Sequence, residues 1–369
     1  MMPEGRRFVA VILAAGLSSR MGSFKPLMTL AGQSVLARCV GAFRDAGIAE
    51  IMVVTGHRAS EVHVEVERLG VSTIHNPAYE QGMFSSVRTA ASGLSGVDAF
   101  FLLPVDIALV RSATIASLAR AYDGRVAYPV FEGERGHPPL IPARLIPEIL
   151  RHDGDGGMKG LLERHPFRDV PVWDQGVLLD ADTADDFAVL VGRAAKLSIG
   201  TKDEIAALAR SMPERGVAHG HAVAAVAVRL GEELNRHGGT LDLDLVHNAA
   251  LLHDVAKGHP RHEAAGGEFL ARLGLGGLAG IVAAHRDVPP PASGVLTEKE
   301  VVCLADKLVR GSQRISVRER FGEKLALYRH DAEACAAIRG RMGNALGLLD
   351  LVELTCGRGI EEILDGVLP

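Results

Sequence analysis

The chain has 369 residues, which exceeds one ordinary domain and predicts two. Its composition, 47% hydrophobic and 23% charged, excludes a disordered chain, a collagen and a disulfide-rich miniprotein. The formal net charge of -5 provides no global positive field, so we expect binding neither to nucleic acid nor to an anionic membrane. The 4 cysteines lack any C-x-x-C spacing, which predicts free thiols and a cytoplasmic protein.

The first half alternates short apolar runs with amphipathic stretches, the pattern of a doubly wound α/β domain with a mostly parallel sheet. Strands are predicted at 8–15, 51–55, 71–76 and 99–106, and helices at 34–47, 60–69 and 83–94. The continuous apolar strand that ends at Asp106 is expected to be the most buried. The run from Phe8 to Ala15 is short for a signal peptide, and no run reaches the roughly 18 residues that span a membrane.

The pattern changes after about residue 197, where strand-like runs end and alanine and leucine dominate. This second half is predicted to be all α-helical. A polar, glycine-containing stretch at 194–204 separates the two patterns, so we place the domains at 1–196 and 197–369. The charged segment at 314–324 is expected to form a solvated face or a surface for a homo-oligomer.

A loop rich in glycine and serine follows the first strand, in the stretch LAAGLSSRMGSFKPL at 13–27. Gly16 and Gly22 allow backbone N–H groups to approach phosphate oxygens. The hydroxyl donors and cations that a triphosphate needs are also present, namely Ser18, Ser19, Arg20 and Lys25. The residue order is neither that of a Walker loop nor that of a dinucleotide-binding loop, and a simple glycine turn has no need of two cations. The stretch therefore predicts a site for a nucleoside triphosphate.

This stretch also carries a resemblance to a known family. It matches every fixed position of the signature LAAGxSxRMGxxK and so resembles the nucleotidyltransferases that include the molybdenum-cofactor cytidylyl- and guanylyltransferases. Further blocks resemble the family in order along the first domain, at 76–90, 102–106, 136–142, 154–166 and 178–187. The resemblance implies a nucleotide-diphospho-sugar transferase-like fold. Ala15, where the guanylyl enzymes have glycine, and the GHPPL block are more similar to the cytidylyl branch.

The resemblance implies a set of site residues in the first domain. Nucleotide contacts are expected from Leu13, Ala14, Ala15, Gly16, Ser18, Ser19, Arg20, Gly22, Lys25, Asn76, Ser86 and Asp106. Arg20, Lys25 and Asp106 would support catalysis. Asp106 and Asp182 would bind Mg²⁺, with Asp180 as an alternative to Asp182, and the pair Asp185 and Asp186 is expected to start a helix instead. Asn76, Ser86 and His137 would line the acceptor pocket.

The implied reaction is attack by an acceptor phosphate on the α-phosphorus of CTP with release of pyrophosphate. The expected partners are CTP or another nucleoside triphosphate and a phosphorylated small molecule, in the first place the molybdenum cofactor. Two alternatives stay open for the same fold: GTP as donor to the molybdenum cofactor, and a sugar phosphate or an isoprenoid precursor as acceptor.

Histidines and acidic residues in the second half follow a recognisable order. Adjacent His253 and Asp254 end an apolar helical run in LLHDVAKG, where both could ligate one ion. With them stand His219, His262, His285 and Asp306, and this ordered set resembles the HD phosphohydrolase superfamily, in particular its two-metal members. Asp306 lies on an otherwise apolar face, and a buried carboxylate without a metal or cation is costly.

Periodicity distinguishes His219 from its neighbour His221. The positions 4, 7, 8 and 11 residues after His219 are all apolar, whereas the same steps from His221 reach Arg229 and Glu232. We therefore predict that His219 faces the core and that His221 lies near the rim.

The resemblance implies one or two divalent metals and hydrolysis of a phosphoester. Manganese, iron, zinc and cobalt all accept such a ligand set. Lys257 would hold the phosphate and act with Asp254 in catalysis, and His259 is an alternative substrate contact. A second hypothesis makes this domain a metal-bound nucleotide sensor that regulates the transferase without turnover.

Overall fold

The computed structural model describes residues 5–17 and 23–368 and divides into two compact units, one ending at Ala195 and the other beginning at Lys196. All four cysteines are free and buried. No helix of the described residues is both long and apolar enough to cross a membrane.

The first unit alternates strands and helices. Its strands are β1 (Phe8–Ala14), β2 (Thr29–Leu30), β3 (Gln33–Ser34), β4 (Glu50–Thr55), β5 (Ser72–His75), β6 (Ala99–Pro104), β7 (Val126–Phe131), β8 (Glu134–Arg135), β9 (Leu140–Pro142) and β10 (Phe167–Pro171). Its helices are α1 (Val35–Asp45), α2 (Ala59–Leu69), α3 (Met83–Gly93), α4 (Ser112–Ala121), α5 (Ile146–Arg151), α6 (Gly157–Leu162) and α7 (Ala184–Ala195).

Apart from β2 and β3, which form a separate antiparallel pair, these strands form a mostly parallel sheet in the order β10-β7-β9-β6-β1-β4-β5, with β8 paired to β7. β1 runs parallel to both β4 and β6, and every residue of β1 is buried. β5 continues the parallel set beyond β4. The carboxyl ends of β1, β4, β5 and β6 therefore meet at one edge of the sheet, which is where such folds bind ligands. The α/β prediction is confirmed, although the antiparallel strands β8 and β9 were not predicted.

Local sequence explains where the first helices begin and end. The Ser34 side chain accepts a hydrogen bond from the Ala37 N–H and so caps α1. The apolar residues of α1 are buried on one side, as the helical spacing predicts. Gly70 ends α2 with a φ of 62°, in the left-handed region that favours glycine.

The second unit is helical. Its helices are α8 (Lys202–Ala209), α9 (Glu214–Arg236), α10 (Leu243–Leu252), α11 (His262–Arg272), α12 (Gly276–Ala284), α13 (Glu298–Lys307), α14 (Val317–Leu327), α15 (Ala332–Cys356) and α16 (Ile360–Ile363). The prediction of an all-helical domain needs one correction, because β11 (Val309–Arg310) and β12 (Gln313–Arg314) form an antiparallel pair. Gly311, with a φ of 63°, allows the tight turn between these two strands.

Candidate functional sites

A cleft of about 290 Å³ opens at the carboxyl-end edge of the sheet in the first unit. Several residues singled out in the sequence line it, namely Leu13, Ala15, Gly16, Lys25, Ser86 and Asp106. Ala15 and Tyr79 come together here because Gly56 has no side chain: a Cβ on Gly56 would lie 2.7 Å from the Tyr79 Cβ and 2.9 Å from the Ala15 Cβ. Tyr79 and Glu80 also line the cleft, and the sequence analysis did not identify them.

Lys25 joins the two carboxylates predicted to hold a metal. Its Nζ lies 3.1 Å from Asp106 Oδ2 and 3.0 Å from Asp182 Oδ1. Although partial burial opposes it, contact with Asp182 and Asp106 raises the pKa of Lys25, so the side chain is an ammonium at neutral pH. The Lys25 ammonium therefore brings the two carboxylates to the same point of the site.

Other predicted residues of this unit lie elsewhere. Ser18, Ser19, Arg20 and Gly22 fall outside the described residues. Ala14 is fully buried in β1 opposite Thr55, and its nucleotide contact stays a prediction. Asn76 is only 1% exposed, and its Nδ2 donates to the hydroxyls of Ser85 and Ser86. Asn76 thus holds the turn after β5, and its contact with the nucleotide or the acceptor stays a prediction.

The remaining acidic residues and His137 surround this edge. Asp180 is exposed, and it is Asp182 that meets Lys25. Asp185 and Asp186 lie in the first turn of α7, in agreement with their predicted role at a helix start. Burial lowers the pKa of His137, which is therefore a neutral imidazole at pH 7.

In the second unit, five segments bring their histidines and carboxylates to one point. His219 lies on α9, the pair His253 and Asp254 follows α10, His262 begins α11, His285 follows α12 and Asp306 lies on α13. The ligand atoms form two groups, each within 4.8 Å: His219, His253 and Asp254, and Asp254, His262 and His285. Asp254 belongs to both groups, so the arrangement fits two ions that share one carboxylate. Asp306 Oδ1 lies 3.3 Å from His219 Nε2 and 3.7 Å from His253 Nε2.

Backbone carbonyls fix how three of these imidazoles point. The Nδ1 atoms of His219, His253 and His285 lie 2.9, 2.7 and 2.7 Å from the carbonyl oxygens of Gly311, Ala250 and Val282. Because a carbonyl only accepts, each Nδ1 carries a proton. Burial lowers the pKa of His253 and of His285, so these two rings are neutral at pH 7 and direct Nε2 lone pairs at the carboxylates.

The Nε2 acceptors of His253 and His285 then face carboxylate oxygens, an arrangement that a cation between them would stabilise. His253 Nε2 is buried and has no hydrogen-bond partner among the residues that the structure describes. Burial lowers the pKa of His253 to about 4, so a proton does not fill this role at neutral pH. The donor set and its geometry therefore fit a divalent metal.

Two cations that the sequence analysis missed hold Asp306. Lys307 Nζ lies 2.7 Å from Asp306 Oδ2, and Arg320 contacts Asp306 Oδ1 at 3.1 Å. Although burial opposes it, the charges of Lys307 and Arg320 hold the pKa of Asp306 well below its usual range. The buried carboxylate thus has the cationic partners that its burial requires.

Family comparisons agree with this division into two sites. A family model described as the MobA-like NTP transferase domain matches residues 10–170, and a model of the HD domain matches residues 216–311. The chain joins a MobA-like NTP transferase domain to an HD domain. It is therefore a nucleotidyltransferase that also carries a domain of the HD phosphohydrolase type.

Known relatives match the transferase domain to different extents. The molybdenum cofactor cytidylyltransferase of Escherichia coli K12 is 27% identical over 179 residues, which cover 48% of this chain and 92% of that protein. The bifunctional protein GlmU of Pelotomaculum thermopropionicum is 37% identical over 113 residues, or 30% of this chain and 24% of that protein. The chain thus spans about a quarter of that longer relative. The crystal structure of Rv0371c from Mycobacterium tuberculosis H37Rv is 27% identical with a TM-score of 0.46, covering 51% of this chain and 98% of that one.

Within the HD domain, the structure separates histidines that are close in sequence. His219 is 8% exposed and His221 is exposed, the orientation that periodicity predicts. Lys257 Nζ contacts Asp254 Oδ2 at 2.5 Å and lines the metal pocket. His259 lines a separate cavity beside Arg261 and Phe269, so its position favours Lys257 over His259 as the contact to the substrate.

Gly220 lets α9 approach α10 closely enough for His219 to meet His253. A Cβ on Gly220 would lie 2.4 Å from the Leu251 carbonyl oxygen. We expect Gly220→Ala to separate the two helices, lower the free energy of unfolding by about 1–3 kcal/mol and weaken metal binding. Chemical denaturation and metal titration measure these effects.

Gly216→Ala is the matched control, because Gly216 lies on the same helix with its nearest side-chain atom at 3.6 Å. It should gain about 0.5–1 kcal/mol from the better helix former and bind metal normally. Equal metal affinity in both variants would contradict the role given to Gly220.

Acid is expected to destabilise the metal-free HD domain. Because the pKa of His253 falls from 6.5 to about 4 on folding, the unfolded chain takes up this proton first as the pH drops. Stability is then lost from about pH 6.5 down to about pH 4, by about 2–3 kcal/mol in the free energy of unfolding. Denaturation of EDTA-treated protein at several pH values measures this loss.

His253→Gln should remove most of this pH dependence, whereas His221→Gln, at the exposed neighbour of His219, should keep it. If the free energy of unfolding depends on pH in the same way in wild type and in His253→Gln, another group is responsible for the loss of stability in acid.

Proposed function

We propose that the transferase domain transfers a cytidylyl group from CTP to a phosphorylated acceptor, the molybdenum cofactor, and releases pyrophosphate. The observation that carries this proposal is the contact of Lys25 with both Asp106 and Asp182, at the strand edge that follows the LAAG loop. The similarity to the cytidylyltransferase of Escherichia coli K12 over 92% of that protein, and Ala15 in the cleft, support the choice of CTP and acceptor.

In this reaction, an oxygen of the acceptor phosphate bonds to the α-phosphorus of CTP, and the bond from that phosphorus to the bridging oxygen breaks. Asp106 and Asp182 would hold Mg²⁺, which neutralises charge on the triphosphate. Lys25 orients the two carboxylates and offers its ammonium to the phosphates. Catalysis thus comes from positioning and charge neutralisation, without a covalent enzyme intermediate.

The test is release of pyrophosphate by the purified full-length protein with Mg²⁺, the molybdenum cofactor, and either CTP or GTP. Release with CTP supports the proposal. Release with GTP alone would move the assignment to guanylyl transfer. No release with either nucleotide would direct the search to a sugar phosphate or another acceptor.

We further propose that the HD domain hydrolyses a phosphoester with one or two divalent metals, chosen from manganese, iron, zinc and cobalt. The supporting observation is the pair of ligand groups that share Asp254. The metals supply Lewis acidity toward phosphate and water. Lys257, beside Asp254, would bind a phosphate oxygen, and Lys307 and Arg320 hold Asp306 in place.

Hydrolysis of p-nitrophenyl phosphate by the full-length protein with Mn²⁺ tests this assignment. Turnover that EDTA abolishes supports it. Tight nucleotide binding without turnover of any phosphoester would favour the alternative, a nucleotide sensor that regulates the transferase domain.

A further inference from the structure

The pocket of the HD domain extends well beyond the metal ligands. Its volume is about 600 Å³, and one side is formed by α14, α15 and the turn between them. We call this side the α14–α15 wall, and it consists of Phe321, Lys324, Leu327, Tyr328, Ile338 and Arg341. Much of the segment at 314–324 is exposed, as expected for a solvated face, and its residues Arg320, Phe321 and Lys324 also line the pocket.

Charges in the pocket divide into two classes. Near the ligand set each cation has a carboxylate partner: Lys257 pairs with Asp254, Lys307 and Arg320 pair with Asp306, and Arg286 pairs with Glu263. Lys324 and Arg341 on the wall have no salt bridge within residues 5–17 and 23–368. Lys324 Nζ instead lies 5.7 Å from the centre of the Phe321 ring.

Positive charges lie close together at this wall. Lys324 is exposed, and the loss of water around its ammonium, together with the charges of Arg320 and Lys307, lowers its pKa. A bound anion would relieve this repulsion, as expected for a pocket that concentrates one sign of charge.

Apolar groups stand beside the two cations. Phe321 and Ile338 are buried, at 2% and 3% exposure, whereas Tyr328 is 48% exposed and Leu327 is 76% exposed. An exposed aromatic ring next to unpaired cations suits an organic group that carries negative charge. Inorganic phosphate has no apolar surface that could pack against Phe321, Ile338 and Tyr328.

We propose that the α14–α15 wall binds the leaving group of the HD-domain substrate and selects phosphoesters whose leaving group carries a second phosphate beside a ring. This inference rests on the proposed hydrolase function. In the reaction, the oxygen of water bonds to phosphorus, the ester P–O bond breaks, and the leaving alkoxide takes a proton from that water. Lys324 and Arg341 would contact the second phosphate, while Tyr328 packs on the ring.

Three probes of increasing complexity test the proposal on the full-length protein with Mn²⁺: p-nitrophenyl phosphate, AMP and adenosine 3′,5′-bisphosphate. We expect kcat/KM to be at least about tenfold higher for the bisphosphate than for AMP. In the double variant Lys324→Met with Arg341→Met, this ratio should fall by about tenfold or more, chiefly through KM.

Two further variants separate charge recognition from folding. Arg339→Met removes an exposed cation of α15 that does not line the pocket, and should keep the ratio. Lys324→Arg keeps the positive charge and should also keep the ratio of the two kcat/KM values. Circular dichroism checks that each variant is folded.

The outcomes distinguish this inference from the proposed function. Equal kcat/KM for the bisphosphate and AMP, or a ratio that the double variant leaves unchanged, overturns the role of the wall while the hydrolase stands. If no probe is hydrolysed, the hydrolase assignment fails, and calorimetric binding of the bisphosphate and AMP to the same variants tests the wall. Tenfold weaker bisphosphate binding in the double variant would then support it, and unchanged binding would overturn it.

Discussion

Asp106→Asn is expected to reduce nucleotide transfer by about 100- to 1,000-fold while hydrolysis by the HD domain continues. Asparagine keeps the shape of the side chain but removes the charge that meets Lys25 at 3.1 Å. The two-carboxylate site then loses half of its negative charge, and with it the charge neutralisation on which the transfer depends. Pyrophosphate release and Mn²⁺-dependent phosphatase activity are measured on the same preparation.

Asp185→Asn is the matched control, because Asp185 is an exposed carboxylate in the first turn of α7. It should keep the transfer rate within about twofold, since an exposed charge near a helix start contributes little. Asp182→Asn should resemble Asp106→Asn. Near-normal transfer in both site variants would remove these carboxylates from the mechanism, and loss of hydrolysis in either would show that the two sites are not independent.

The sheet could be predicted as far as Asp106 and no further. β1, β4 and β6 are apolar runs with clear ends, so their positions and the edge that carries Asp106 follow from the sequence. The next strand, β7, contains Pro129, which lacks an N–H and argues against a strand interior. Pro129 nevertheless lies within β7, and its carbonyl accepts a hydrogen bond from the Gly136 N–H.

The candidate ligand set of the HD domain could be identified in the sequence because its members have a distinctive chemistry. A histidine on an apolar helical face, such as His219, is visible in the periodicity alone. The wall was missed because arginine, lysine and glutamate in sequence usually indicate solvent. Lys324 and Arg341 reach the pocket through the packing of α14 against α15, which no local pattern encodes.

Tertiary packing also determines where the side chains of Asn76 and His259 lie. Both were candidates because of their residue type and position in sequence. Hydrogen bonds to Ser85 and Ser86 use the Asn76 amide within its turn, and the chain after Asp254 directs His259 into another cavity. Residue type therefore identified candidate side chains, and the tertiary structure determines which of them lie close together.

Asp254→Asn is expected to abolish metal binding and hydrolysis in the HD domain, with a loss of at least about 1,000-fold in kcat. Asp254 is the one carboxylate shared by both ligand groups, with Oδ1 3.5 Å from His262 Nε2 and 3.8 Å from His285 Nε2. Removing its charge weakens both groups at once, whereas His262→Gln removes a ligand from one group only.

Elemental analysis of protein dialysed against Mn²⁺ measures this difference. We expect two ions per chain for wild type, one for His262→Gln and none for Asp254→Asn. Asp350→Asn, at an exposed carboxylate of α15 outside the pocket, should match wild type. One ion in both wild type and His262→Gln would reduce the centre to the group of His219, His253 and Asp254, with His262 free to contact substrate. Full metal content in Asp254→Asn would instead mean that the histidines hold the ions without the shared carboxylate.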